Sequence, residues 1–449
     1  MISDRYSGQH STDASASVAH FETAVRALAE HRPGVIEALD AALADDPGLV
    51  AGQVLAGFAK LLLARPEFDA QVRASLAAAG AAARTREITA SERALLQALA
   101  VAADGKLLEA AACLEHHLTS EPRDFLALKL AHGLRFMGGD LGGMLRATGS
   151  VLRAYEKDTP ASGFVHGCHA FALEEAGIFD EAERYGRSAV AREPLDAWGL
   201  HAVTHVHEMQ GRRREGVFWL ESTRDRWSGC NNFGGHVAWH LALFHAEGGD
   251  FERALAVYDS DIRPTPTEDY RDIANATTLL WRLGQFGVDV GNRWDDLVDI
   301  AQRRAGETTL LFAAMHHLLS LLAGGKSVDA AHMLAQLMRC AGTDCGDQSQ
   351  VARDVAVDLA RALIGVPDAG ETIDMVRIAK ELPKLGGSHA QRDVFIRTLA
   401  LSAANMGDTA AFAQIMKVRH QYRKADRFAA MAQACRDAAM SRMGRCAHV

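Results

Sequence analysis

The sequence predicts an all-α chain, an α-solenoid of helical hairpins, and three observations predict it. Apolar residues recur at three- and four-residue spacing along most of the chain, while no convincing period-two run appears. The composition is 48% hydrophobic and alanine-rich, with only ten prolines in 449 residues, which favours helices. Gly105, Gly139, Gly177, Gly211 and Gly249 each follow one apolar helical stretch and precede another, at spacings of 34, 38, 34 and 38.

A helix–turn–helix unit of about 34 residues is the tetratricopeptide period. Five residues after each glycine stand Ala110, Met144, Ala182, Gly216 and Ala254, mostly small, where two helices of a hairpin cross closely. Pro122 and Pro194 fall where a second helix should end, and Asp180-Glu181-Ala182-Glu183 has the charge of a helix start. His132 and Thr204 depart from the small-residue position of the first helix, so the repeats are degenerate. In order along the chain, residues 1–17 are expected to be loosely ordered. Two helical patterns from Val18 to Leu63 follow, parted by Asp45-Asp46-Pro47-Gly48, and then the clearest repeats, at 93–264. Residues 265–449 continue as degenerate helical repeats with breaks at 324–325, 365 and 407. No Pro/Ser-rich linker interrupts 18–449, so the expectation is one helical-repeat domain, a solenoid able to close on itself.

Composition excludes several functions. Net charge is −9, from 48 basic and 57 acidic residues, which argues against general nucleic-acid binding. Seven scattered cysteines without CxxC spacing read as free thiols of a reducing cytoplasm. Residues 1–19 lack a basic start leading into an apolar run, so no signal peptide is expected, and charges interrupt every apolar stretch before it reaches membrane-spanning length. The expectation is a soluble cytoplasmic protein without membrane or nucleic-acid partners. It would act on a small molecule or a peptide, with self-association through a terminal repeat. From Ala411 to Val449 eight Lys or Arg face two Asp, a basic surface that suits an acidic partner or is simply solvated.

The residues that carry chemistry lie between Ala161 and Pro264. In the repeat register, Trp198, His201, His205 and Glu208 fall on the inner face of one first helix. Phe164, Gly167, Phe171 and Glu174 fall on that of the preceding repeat, and His236, Trp239, Leu243 and Ala246 on that of the following one. His240, four residues after His236, shares its face. Two chemistries fit. In one, His201, His205, His236 and His240 bind zinc or iron, with Glu208 in reserve, and the ion activates water or oxygen. In the other, a histidine oriented by Glu208 or Glu174 acts as general base on a small molecule held between Trp198 and Trp239. The spacing matches neither HExxH nor Glu-x-x-His. The plainer alternative makes these histidines packing residues or part of a peptide-binding groove, a non-catalytic scaffold. His166, His169, His207 and His245 fall off the inner face, and the pairs His116-His117 and His316-His317 are weak candidates.

DAWxxHxxxHxxEM (Asp196–Met209), HxxWHxAL (His236–Leu243), ALxxYD (Ala254–Asp259), ARDV (Ala352–Val355) and LGGSxAQRDVF (Leu385–Phe395) occur together in this chain. In these motifs it resembles tetratricopeptide repeat protein 38 and its bacterial relatives, from about Val18 onward. The resemblance implies a helical-repeat fold and no established reaction. It also directs attention to Gly386-Gly387-Ser388, a tight turn before a helix presenting Gln391, Arg392 and Asp393. Its N–H groups and Arg392 can hold an anion. Alternatively, Ser388 caps the helix and Arg392-Asp393 pair with Arg353 or Asp354. Cys230, in a Gly-rich loop before His236, is a nucleophile candidate without an identifiable oxyanion element. Ser388 and His389, adjacent on a helix, diverge.

Overall fold

The computed structural model describes residues 1–157, 159–344, 346–366 and 373–446, with side chains as far as Arg442. The all-α expectation holds: among the described residues the only strands are the two-residue pair Ile2–Ser3 and Gln9–His10. That pair shows that residues 1–17 are built into the structure. Asp4 accepts from the N–H groups of Tyr6 and Gly8 at 2.8 Å each and pairs with His10 at 2.8 Å, and Tyr6 packs on Phe125. No described helix is long and apolar enough to cross a membrane.

Each hairpin turn has the same local cause. Gly105, Gly139, Gly177, Gly211 and Gly249 all adopt positive φ, which only glycine enters without a steric penalty, and each ends one helix and opens the next. The series runs on through Gly287, Gly325, Gly365 and Gly407, so the period continues past Pro264, at spacings of 38, 38, 40 and 42. At three of these turns an aspartate follows the glycine and caps the second helix: Asp140, Asp250 and Asp408 accept from Gly143, Arg253 and Ala411 N–H. Ala110, Met144, Ala182, Ala254 and Ala330 are wholly buried at the predicted crossing position, and a Cβ on Gly216 would run into the Phe244 ring.

Where one continuous domain was expected, the chain divides into two compact units. Unit 1 comprises Met1–Val203 and Asp225–Phe233, with a short stretch ending at Asp347. Its hairpins include Ala90–Ala103 with Leu107–Leu118 and Ser162–Glu175 with Phe179–Arg192, around a core of Phe21, Phe58, Leu99, Leu114, Phe125 and Phe164. Unit 2 comprises Thr204–Arg224, Gly234–Asp344 and Gln348–Val449. Its first helices are the end of Ala197–Met209, most of Phe233–Gly248, then Tyr270–Gln285, Leu311–Ala323 and His389–Asn405. They bury Leu279, Leu283, Leu318, Leu319, Val394 and Phe395, each worth about 1.5–3 kcal/mol on leaving water. Tyr258–Ile262 and Ala352–Ala356 form single π-turns, so the ALxxYD and ARDV motifs both fall on local widenings of a helix.

Candidate metal and ligand site

Within unit 2, helical spacing brings His205 and Glu208 onto one buried face, and His236, Trp239 and His240 onto another. His205, His236 and His240 each offer a ring nitrogen, and the three lie within 4.8 Å of one another. The His205 and His240 ring centroids are 4.5 Å apart and those of His236 and His240 5.0 Å. Two of the rings are oriented from behind. His240 Nδ1 lies 2.7 Å from Glu208 Oε2 and His236 Nδ1 lies 2.8 Å from Asn275 Oδ1. Both partners are acceptors, so each Nδ1 carries the proton and each Nε2 keeps its lone pair. This is how proteins orient imidazoles for metal binding. Burial holds His240 down to about 4, with His205 adding to it against the pull of Glu208, and burial holds His236 well below its ordinary value. Both are neutral at pH 7, the form that ligates.

A shell of charge surrounds these rings. Glu208 also accepts from Arg423 at 2.7 Å. Burial alone would raise its carboxyl, but Arg423, then His240 and His205, outweigh this and hold it below the ordinary range. Arg423 and Arg419 share Asp426, at 2.8 and 2.5 Å, and Arg419 binds Asp393 through Nε and a terminal nitrogen at 2.6 and 3.2 Å. Arg397 lies between the Phe286 and Phe428 rings, 3.8 Å from Glu247. The basic C-terminal segment therefore turns two of its arginines inward rather than presenting all of them to a partner. On the surface, a groove of about 590 Å³ lined by Glu247, Phe251, Phe286, Arg427, Ala430 and Met431 contains none of the predicted site residues.

His201 stands one turn before His205 on the same helix, in the part assigned to unit 1, where it packs on Phe171, Trp198 and Phe233 at 5.2–5.5 Å. Trp198 is no ligand platform. Its Nε1–H donates to His132 Nε2 at 3.2 Å, and within unit 1 its ring is covered by His31, Phe171, Phe233 and the Lys129 ammonium. Glu174 is buried at the end of Ser162–Glu175 in unit 1. Trp239 lies in unit 2, stacked on His236 at 5.4 Å. Of the two indoles expected to hold a ligand, Trp198 thus has its N–H and its ring engaged within unit 1.

The C-terminal motif is also corrected. Ser388 and Gln391 form a reciprocal capping box, the structural alternative. Arg392 donates to the Gly386 and Gly387 carbonyls and to His389 Nδ1. Asp393 pairs with Arg419 instead of Arg353, which binds the Ala341 and Thr343 carbonyls. Cys230 points its thiol at the Glu30 carbonyl, 3.6 Å away, and burial pushes it up to about 11, the opposite of an activated thiolate. Cys113, Cys168, Cys340 and Cys435 are not joined in disulfides. Cys345 lies outside the described residues, as does the side chain of Cys446.

Sequence reasoning missed Asn275, Arg282, Arg419 and Arg423, and ranked His316 only as a weak candidate. Asn275, Thr278 and Arg282 sit at three- and four-residue spacing on the helix that follows the histidine helices, so extending the register past Pro264 from Gly287 would have found them. Arg419 and Arg423 carry no such signal, because buried and solvated arginines read alike in sequence. A scan against protein-family models finds none that matches this chain.

Proposed function

We propose that the chain is a tetratricopeptide-type helical-repeat protein, akin to the tetratricopeptide repeat protein 38 family. In this reading unit 2 binds a small polar or anionic ligand beside a transition metal held by His205, His236 and His240. Zinc and iron(II) suit an all-imidazole set. The observation that carries the reading is the convergence of three buried imidazoles within 4.8 Å, two of them with Nδ1 tied to Glu208 and Asn275. An ion with an open position supplies Lewis acidity or an activated water. The protein's part is to keep the imidazoles neutral, oriented and out of bulk solvent. Burial of these residues supports an enclosed small molecule over a peptide in an open groove. The Glu208–His240 pair is also a carboxylate–imidazole dyad, and this supports the second reading, metal-free general base catalysis.

Elemental analysis of untagged protein separates the two. The metal reading expects about one equivalent of zinc or iron in the native chain and its loss in a His205→Ala/His240→Ala variant that remains helical by circular dichroism. A native chain that stays metal-free after reconstitution sinks it and leaves the dyad.

A further inference from the structure

The interior of unit 2 holds a second set of polar groups that the metal reading does not use. Trp239 is wholly buried and its Nε1–H has no hydrogen-bond partner among the described residues. His316, also wholly buried, donates from Nδ1 to the Phe312 carbonyl at 2.6 Å, so its Nε2 bears a lone pair, and that atom too has no partner among the described residues. Arg282 is 2% exposed. It donates to the Thr278 and Ala390 carbonyls at 3.4 and 2.6 Å, yet no carboxylate among the described residues stands within ion-pair distance. Arg419 and Arg423, by contrast, each have two carboxylate partners.

Arg282 is the neighbour these groups share. Its guanidinium is 5.3 Å from the Trp239 ring centroid, and its charge reaches both His240 and His316. Asp393 and Glu208 act on Arg282 only from beyond ion-pair distance. A buried charge without a direct ion pair costs several kcal/mol, and each buried donor or acceptor left unmade costs about 1–3 kcal/mol more. The group that would relieve all three is an anion that accepts from a guanidinium and an indole N–H and also donates one hydrogen bond to an imidazole.

We infer that Arg282, Trp239 and His316 anchor a small oxyanion that also carries a hydroxyl, with Arg282 and Trp239 binding the charged oxygens and His316 Nε2 accepting from the hydroxyl. A hydroxycarboxylate and a hydrogen phosphate share this chemistry. The inference builds on the reading of unit 2 as a ligand-binding interior but does not require the metal.

The test is calorimetric titration of the full chain, freed of metal by chelation, with glycolate, inorganic phosphate and acetate. Glycolate or phosphate should bind, and whichever is tighter identifies the source of the oxyanion. Acetate, which has nothing to donate to His316, should bind about tenfold more weakly. Arg282→Gln should weaken binding by roughly 10- to 100-fold and Trp239→Phe by about 5- to 10-fold, and His316→Phe should erase the preference over acetate. Trp239→Phe keeps the ring, so it remains informative if Arg282→Gln does not fold. No heat from glycolate and phosphate on the folded native chain, or unchanged binding by Trp239→Phe, would overturn the inference. A chain that takes up metal but binds no oxyanion sinks this inference alone, whereas a native chain that stays metal-free after reconstitution and still binds one sinks only the metal.

Discussion

Two regions of this molecule gather histidines on buried helix faces and put them to different use. In unit 1, His31 is stacked 5.5 Å from Trp198 and 4.3 Å from Phe233, and His201 is stacked on Phe171. His132 accepts from the Trp198 indole, and burial followed by Lys129 holds it down to about 3. Its neighbours are mostly rings. In unit 2, His236 and His240 are tied through Nδ1 to an amide and a carboxylate, and that carboxylate is in turn fixed by Arg423. His132, His201, His236 and His240 all lie buried on helices. What differs is the partner behind each ring: an aromatic neighbour packs an imidazole, whereas an acceptor orients its remaining nitrogen toward something else.

The largest effect should come from breaking the charge shell. Arg419→Met leaves Asp393 buried without its direct ion pair to Arg419 and should cost about 3–5 kcal/mol by urea denaturation. The matching change in unit 1, Arg135→Met, touches the less buried Glu115 and Asp140 and should cost well under half as much. Equal losses would break the contrast.

Acidity sharpens it next, because the units carry carboxyls shifted in opposite directions. Burial raises Asp393, but Arg419 and then Arg423 outweigh it and leave the group below its ordinary value. Its contribution to stability is present above the unfolded value of about 4 and is lost as pH falls through the folded one. Asp196 in unit 1 is pushed up to about 7 by burial, against Lys129 and the Gly199 and Trp198 N–H groups. Between about pH 4 and 7 the folded chain keeps a proton that the unfolded chain releases, so its contribution falls as pH rises. Asp196→Asn should therefore gain about 2–3 kcal/mol on the native chain between about pH 5 and pH 8, measured as the change in unfolding free energy. A gap that stays constant over that range would place the carboxyl near its ordinary value.

Much of the fold was legible because its causes are local. The glycine series reads directly as positive-φ turns, and the apolar period reads as helices. The N-terminal strand pair was not legible, since its order comes from Asp4 binding backbone N–H groups and from Tyr6 meeting Phe125 far along the chain. His205, Glu208, His236 and His240 were legible from spacing. Asn275 and Arg282 were lost when Gly287 was not taken as the next turn. Gly287 has open space around its Cβ position and φ of 77°, so Gly287→Ala should cost only the left-handed penalty, roughly 1–2 kcal/mol, with no change in ligand or metal content. A larger loss would mean that the turn is packed as well as bent.

The smallest and most pointed comparison is between the two tryptophans. Trp198→Phe and Trp239→Phe both shrink a buried indole to a benzene ring, so the cavity terms largely cancel and the difference isolates the indole N–H. In unit 1 that N–H is spent on His132, and losing it strands a buried acceptor. In unit 2 it has no partner among the described residues, and losing it removes an unmet donor. Trp198→Phe should therefore be the less stable variant by about 1 kcal/mol in paired thermal or urea unfolding, and its oxyanion affinity should be unchanged. Trp239→Phe should do the reverse, losing less stability than Trp198→Phe while losing affinity. If the two variants lose stability equally and neither changes affinity, both indoles are packing residues, and the distinction drawn between the units reduces to charge alone.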